Sequence, residues 1–246
     1  MLKIKIAHLY YDILNLYGEN GNVRALKKYI ERQDVKCEVH FLTINDKIDF
    51  NEYDLFYMGM GTEEGLLLVL KDIIKYKKEI KEAIEKGKFF IATGNSFELF
   101  GEEIYNFRFK PMEALNIFEY HTMWKGFRIV ESVYASTKLI KEPIIGFQNR
   151  NGHMYDVQKS LFKYKEGTGM NLGSKLEGYH YKNFYGTYLL GPLLIRNPHL
   201  TNYIVKSLIH SKNKKYKFKI YNRTTEIKAY NTYIDNFINK EDTVKN

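Results

Sequence analysis

Segments typical of strands alternate with segments typical of helices through about the first 100 residues, and this alternation restricts the chain to folds built on a parallel sheet. Between the first two predicted strands, apolar residues recur at Val23, Leu26 and Ile30 with charged residues among them, which predicts an amphipathic helix. The predicted strands lie at 2–9, 35–42, 54–58 and 88–92. The pattern therefore predicts an α/β fold with a mostly parallel central sheet covered by helices.

The fourth predicted strand leads into the most informative turn of the chain. A helical pattern from Glu63 to Glu85 ends at Gly87, after which strand 88–92 runs into the turn Thr93–Ser96 and a further helical segment. A strand, a sharp turn and a helix form a nucleophile elbow, which presents a reactive side chain at the end of the strand. The turn of this chain carries Gly94, which has no side chain to react.

The length of the chain favours one large domain with a short extension. Residues 1–210 of the 246 are predicted to form a single domain. The extension, 211–246, begins with the basic run Lys212–Lys219. Apolar residues then recur at helical spacing, at Ile227, Tyr230, Ile234, Phe237 and Ile238. We expect a docked helix whose end frays over Glu241–Asn246.

Composition argues against several classes of protein. The net charge of +9 suggests nucleic-acid binding, but the lysines are spread over predicted helix faces, so no nucleic-acid partner is expected. The apolar cluster Leu66–Leu70 is too short to cross a membrane, and the N-terminal segment reads as a strand rather than a secretory signal. The single cysteine, Cys37, argues against a disulfide-stapled secreted protein and predicts a cytosolic location.

The histidines do not suggest a metal centre. The chain has seven, without the spacing of metal ligands, so neither a metal site nor a cofactor is predicted. His180 lies ten residues before Leu190 and is interpreted as a hydrogen-bonded strand or loop histidine. The alternative is that His180 points into a cleft near Leu190.

Three segments carry a family resemblance. They are the opening strand and loop His8–Asn22, the short run Gly146–Arg150, and the block Tyr185–Pro198. Together they resemble the class I glutamine amidotransferases of the cobyric acid synthase type, and among these the glutamine amidotransferase subunits of lipid II isoglutaminyl synthase. The resemblance extends through about Lys206. It implies a flavodoxin-like sandwich of the class I glutamine amidotransferase kind.

The resemblance breaks where the family does its chemistry. Releasing ammonia from glutamine requires a thiolate, a histidine that moves its proton, and backbone N–H groups that hold the oxyanion. The family cysteine position is Gly94 here, the family histidine position is Leu190, and Cys37 is far from both in sequence. No catalytic residue is intact, so the chain is predicted to be inactive as a glutaminase. A shared fold further predicts that Gly94 ends a central strand and faces Leu190 across the cleft.

Neighbouring family motifs are altered as well. The family loop Gly-Gly-Gly-Gln-Asp-Arg-Glu appears as Gly59–Gly65, the elbow Cys-Gly-Gly-Tyr-Gln as Gly94–Glu98, and Gly-Phe-Glu-Asn-His as Gly146–Arg150. The resemblance predicts a remnant pocket formed by Gly59, Gly61, Thr62, Asn95, Ser96, Gln148, Asn149 and Arg150. A replacement hydroxyl nucleophile at Ser96 or Thr93 is the alternative, but the base that it needs is missing at position 190.

The resemblance also implies a partner. In the family this subunit passes ammonia to a Mur-ligase-like, ATP-dependent subunit that amidates the D-glutamate of the lipid II stem peptide. The leading hypothesis keeps this heterodimer, close to membrane-bound lipid II, and drops glutamine hydrolysis. The alternatives are an active amidotransferase with an unrecognised nucleophile and a stand-alone module that binds a small ligand. The aromatic segments Phe107–Trp124 and Tyr181–Tyr188 are candidate docking surfaces, with burial in the core as the other interpretation.

Overall fold

Strands and helices alternate in the first part of the chain and again towards its C-terminal end. The structure is a computed structural model that describes residues 2–221 and 224–244. Its strands are β1 (Lys3–Leu9), β2 (Lys36–Leu42), β3 (Leu55–Met58), β4 (Phe89–Thr93), β5 (Glu103–Tyr105), β6 (Pro111–Glu113), β7 (His121–Ser136), β8 (Ile144–Tyr155), β9 (Phe162–Glu166), β10 (Leu176–Glu177), β11 (Tyr179–Tyr181) and β12 (Phe184–Thr187). Its α-helices are α1 (Asn20–Glu31), α2 (Glu63–Ile73), α3 (Lys77–Glu85), α4 (Leu193–Arg196), α5 (Pro198–Lys212) and α6 (Thr225–Val244).

The central sheet has six strands in the order β11-β12-β4-β3-β1-β2. All neighbours are parallel except β11, which runs antiparallel to β12. Parallel neighbours need crossover connections, and helices supply most of them here. The expected α/β class, with a mostly parallel central sheet covered by helices, is confirmed.

The two faces of the sheet bury different side chains because successive strand residues point in opposite directions. Ile4 and Ile6 of β1 pack into one core with Leu26 of α1. Ala7 and Leu9 of the same strand belong to the opposite core, which includes residues of α2 and α3. The sheet is therefore a middle layer, and its carboxyl edge is left for a site.

The helix predicted from Glu63 to Glu85 is interrupted. A turn of 3₁₀-helix at Ile74–Tyr76 separates α2 from α3. The Tyr76 hydroxyl accepts from the Ile48 N–H at 3.3 Å and donates to the Asp46 carbonyl at 3.2 Å. These bonds tie the turn to the connection between β2 and β3, which is a tertiary contact that helical spacing does not reveal.

A second, largely antiparallel sheet occupies the middle of the chain. Its order is β10-β9-β7-β5-β6, with β8 also paired to β7. The short β-like runs noted in the sequence between Phe107 and Asp156 thus belong to real strands. The register of β7 against β8 shifts between Trp124 and Ile129, and such a bulge re-aims the side chains that it contains. Arg128 lies in this bulge.

The C-terminal helix docks on the domain, as expected. The Glu226 carboxylate of α6 pairs with Lys28 at 2.6 Å and with Arg32 at 3.0 Å. The Tyr230 hydroxyl donates to the Pro143 carbonyl at 2.7 Å. Helix α5 continues to Lys212, and the division of the chain at residue 210 stays a prediction. The predicted contacts of Phe237 and Ile238 and the predicted fraying lie outside the described side chains.

The described helices differ from membrane-spanning segments. Within 2–221 and 224–244, no helix combines the length and the apolar character needed to cross a bilayer.

Candidate active site

The backbone of the elbow is present although its nucleophile is absent. Gly94 directly follows β4 and begins a 3₁₀-helix, Gly94–Phe100. Its φ of +65° lies in the left-handed region that glycine adopts readily. The expected helix after the turn is therefore a tighter 3₁₀-helix, and all seven of its residues are buried.

Leu190 lies at the same edge of the sheet. Strand β12 is parallel to β4, with Thr187 opposite Thr93, so the two motifs leave the sheet at neighbouring carboxyl ends. This confirms that they converge at one edge. Leu190 is 1% exposed, and its N–H donates to the Phe147 carbonyl at 2.8 Å. A leucine side chain has no proton to relay, and its facing Gly94 directly stays a prediction.

The space beside Gly94 is filled by Met60. A Cβ atom placed on Gly94 would lie 2.4 Å from Met60 Cβ and 3.0 Å from its Sδ. Met60 is 2% exposed and cannot simply move into solvent. Sequence reasoning missed this residue, although Met60 stands at the middle glycine of the family loop. The chain has therefore lost the nucleophile and also the room for one.

Asn95 closes the loop onto the elbow. Its Oδ1 accepts from the Gly61 N–H at 3.1 Å, and its Nδ2 donates to the Gly61 carbonyl at 2.8 Å. An N–H that already donates to a side-chain carbonyl is not available to a developing oxyanion. Gly59 lies in the same loop, where a Cβ atom would meet the Leu14 carbonyl oxygen at 2.3 Å. The structure thus brings Gly59, Gly61 and Asn95 together with Gly94, as predicted.

Ser96 and Thr62 have structural partners. The Ser96 hydroxyl lies 3.1 Å from the Met58 carbonyl and 3.0 Å from the Thr93 carbonyl, and Ser96 is fully buried. Both partners are acceptors, and neither is a base that could activate a nucleophile. Thr62 caps α2, where its hydroxyl accepts from the Gly65 N–H at 3.0 Å.

A buried carboxyl group lies beneath the elbow, at Glu19. It accepts from Tyr57 at 2.8 Å and from Asn22 at 3.4 Å, and it also contacts the Thr93 hydroxyl. Burial raises the pKa of Glu19 to about 7. Thr93 thus has a carboxyl neighbour, but both groups are fully buried, which separates them from any substrate in the cleft. Glu19 lies in the opening signature, where the sequence suggested no role for it.

Glu19 should make the stability of the protein depend on pH. Its folded-state pKa of about 7 exceeds the ordinary value of 4.5, so the folded state keeps a proton that the unfolded state releases. The free energy of unfolding should therefore fall as pH rises from about 4.5 to about 7. We expect Glu19→Gln to reduce this fall by on the order of 1–3 kcal/mol, measured by urea unfolding at several pH values. An unchanged pH slope in the variant would contradict this assignment.

Gln148, Asn149 and Arg150 divide between two faces of β8. Asn149 accepts from Arg128 Nε at 2.6 Å and donates to the Tyr17 hydroxyl at 2.6 Å, on the side of the elbow loop. Gln148 donates to Glu131 at 2.6 Å and accepts from Arg150 Nε at 2.9 Å. The Arg150 guanidinium donates to the carbonyl groups of Gly152, Thr168, Gly169 and Met170. Gln148 and Arg150 therefore hold the second sheet together and have no contact with Gly94 among these bonds.

Two further buried carboxyl groups link the elbow to the second sheet. Glu98 accepts from Trp124 Nε1 at 2.7 Å and from the Tyr188 hydroxyl at 3.0 Å. Glu177 accepts from the Tyr188 N–H at 2.7 Å and from the Thr187 hydroxyl at 2.8 Å. Burial raises the pKa of both groups to about 7. The family position of Glu98 carries glutamine, so this chain has added an ionisable group behind the elbow.

Cys37 and His180 have no part in the cleft. Cys37 is buried in β2 opposite Ile4, near the amino ends of the strands and away from the elbow. Burial raises the pKa of its thiol to about 12, as expected of an unreactive cysteine. His180 lies in β11, where its backbone N–H donates to the Lys159 carbonyl at 2.9 Å. Among the described residues, no cluster of three or more His, Cys, Asp or Glu is arranged to hold a metal ion.

A groove of about 640 Å³ opens beside the elbow loop. Thr62 and Arg128 line it, and Arg128 pairs with Glu63 at 2.7 Å. Phe107 and Trp124 form its aromatic side, with Phe107 53% exposed and Trp124 5% exposed. The predicted docking segment Phe107–Trp124 thus contains both exposed and core residues.

Comparison with known proteins agrees with this architecture. Residues 5–198 match the CobB/CobQ-like glutamine amidotransferase domain. The lipid II isoglutaminyl synthase (glutamine-hydrolyzing) subunit GatD of Staphylococcus aureus is 31% identical over 235 residues, covering 96% of each chain. The subunit of the same name from Streptococcus pneumoniae is 28% identical over 97% of this chain and 90% of its own. The glutaminase domain of Trypanosoma brucei CTPS, solved with bound acivicin, has the same fold, with a TM-score of 0.50 at 10% identity over 88% of this chain and 96% of that domain. The chain belongs to the CobB/CobQ-like glutamine amidotransferase family.

Proposed function

We propose that this chain is a catalytically deficient amidotransferase-like subunit that partners a Mur-ligase-like, ATP-dependent protein. The complex amidates the stem peptide of lipid II during peptidoglycan modification. The similarity to two lipid II isoglutaminyl synthase subunits over nearly the whole chain supports the pathway and the partner. The subunit no longer supplies ammonia from glutamine, so the partner uses free ammonium.

One observation carries the loss of glutaminase activity. Met60 fills the volume in which a side chain at position 94 would begin, with 2.4 Å between the two Cβ positions. A cysteine in this turn therefore needs a different residue at position 60. Asn95 supports the same conclusion because it engages the Gly61 N–H. Two changes with one structural consequence favour loss of hydrolysis over a shifted nucleophile.

Retention of the fold favours a binding role over simple decay. The elbow backbone, the sheet order and the buried carboxyl groups around the cleft are all kept. Exposed aromatic side chains, Phe107 at 53% and Phe109 at 65%, lie beside the groove or close to it in sequence. Aromatic side chains at such positions are common anchors of protein interfaces. The subunit then acts by stabilising its partner and shaping the partner's cleft.

Co-expression with a Mur-ligase-like partner tests this function. We expect the two chains to elute together in size-exclusion chromatography. We further expect the complex to amidate lipid II with ammonium chloride and not with glutamine, since no nucleophile attacks the glutamine amide. Glutamine-dependent product would refute the deficiency, and a monomer that ignores the ligase would favour a stand-alone ligand-binding module.

A pair of surface variants tests where the partner docks. Phe107→Ser with Phe109→Ser should weaken co-elution about tenfold or more, because both exposed rings are lost. Ile220→Ser is the matched control, since Ile220 is 74% exposed and lies in the C-terminal segment. Equal loss of binding in the control would show that the aromatic pair is not the docking surface.

A further inference from the structure

A second cavity lies at the carboxyl ends of β1 and β2. Its volume is about 430 Å³, within the range of small-molecule sites. His8 comes from β1, Phe41 from β2, and Asn20 from the first turn of α1. None of these residues belongs to the elbow or to its loop.

His8 is an unusual residue for its place in the fold. It follows Ile4 and Ile6 on the face of β1 that packs against α1, a position where an apolar residue is expected. His8 is fully buried, and neither ring nitrogen has a hydrogen-bond partner among the described residues. Burial lowers the pKa of His8 to about 4, so its ring is neutral near pH 7 and offers one donor and one acceptor. An unpaired buried polar group costs about 1–3 kcal/mol, which a ligand that pairs with it would offset.

Asn20 adds a second polar group without a partner. Its Oδ1 is buried and makes no hydrogen bond within the described chain. Arg24 and Lys27 follow on the same face of α1, at four and seven positions after Asn20, and both are exposed. The first turn of α1 contains no acidic residue, and the N-terminal end of a helix attracts anions. The cavity is therefore polar at its floor and positive at its rim.

Two aromatic rings complete the walls. Tyr11 and Phe41 meet edge to face at 5.1 Å, and the Phe41 ring lies 5.7 Å from the ring of His8. Phe41 is 56% exposed, so its side chain is free to turn outward and admit a flat group towards His8. Aromatic walls with a polar floor suit a planar heterocycle better than an aliphatic acid.

We propose that this cavity binds a nucleoside monophosphate whose base carries an amino group. The amino group donates to Asn20 Oδ1, and a ring nitrogen of the base pairs with His8. The phosphate lies at the rim, within reach of Arg24 and Lys27. This site is separate from the elbow, and its occupancy does not depend on whether the chain hydrolyses glutamine.

Isothermal titration calorimetry of the full chain with AMP tests the proposal. We expect AMP to bind at one site, and adenosine, IMP and inorganic phosphate to bind at least about tenfold more weakly, because each lacks one of the required groups. Arg24→Gln with Lys27→Gln should weaken AMP about tenfold and leave adenosine unchanged. His8→Phe should weaken both AMP and adenosine. Lys71→Gln with Lys78→Gln removes the same charge from α2 and α3 and should change nothing.

The experiment can overturn the site in several ways. No heat from AMP at millimolar concentration would do so, as would AMP binding that survives the Arg24 and Lys27 changes. Phosphate binding as tightly as AMP would show a simple anion site instead. Since His8→Phe alters the core, its melting temperature is compared with that of the parent chain. The exposed Arg24 and Lys27 pair keeps the test decisive if the His8 variant fails to fold.

Discussion

The purified chain should release no ammonia from L-glutamine above the buffer rate. Removing the nucleophile of a covalent catalyst costs about a millionfold in rate, and this chain also lacks the histidine. A coupled glutamate dehydrogenase assay measures the release. Turnover that persists in Cys37→Ala and disappears in Ser96→Ala would show that a serine had replaced the cysteine.

Restoring activity should require one change that the reacting groups alone do not suggest. Gly94→Cys with Leu190→His should remain inactive and be destabilised by about 1–3 kcal/mol, because the new Cβ meets Met60 at 2.4 Å. Adding Met60→Gly opens that space, and adding Asn95→Gly frees the Gly61 N–H. We expect measurable glutaminase activity only in sets that include Met60→Gly. Activity in the first double variant would show that Met60 yields easily and that the pocket had stayed open.

Arg150→Met should destabilise the protein by about 3–5 kcal/mol. Arg150 is 2% exposed, and its guanidinium satisfies the carbonyl groups of four residues between β8 and the segment before β10. A methionine fills similar volume but leaves those buried acceptors unpaired. Urea unfolding monitored by tryptophan fluorescence measures the change, since Trp124 lies in the same core.

Arg128→Met is the matched control for that measurement. Arg128 lies in the bulge of β7 and pairs at the surface with Glu63 and Asn149. Surface ion pairs of this kind contribute about 1 kcal/mol or less. A comparable loss in both variants would mean that the buried contacts of Arg150 contribute little beyond an ordinary surface pair.

Local pattern was sufficient for the strand order and the edge of the site. Alternation of apolar residues in the predicted strands, with helices between them, requires parallel pairing, and the carboxyl ends of parallel strands meet at one edge. Positions 94 and 190 were therefore expected at that edge, and the register of Thr93 against Thr187 confirms it. The second sheet was visible only as short β-like runs, because the pairing of β7 with β8 depends on contacts distant in sequence.

The sequence by itself determined that the chain keeps a glutamine amidotransferase frame without its cysteine and histidine, since those losses are read directly at Gly94 and Leu190. Only the tertiary structure decided what fills the vacated site. Met60 contacts position 94 across 34 residues of sequence, and the same separation joins Gly61 to Asn95. Whether a side chain lines a pocket or ties a sheet together depends on which distant atoms surround it, and residue type and spacing do not carry that information.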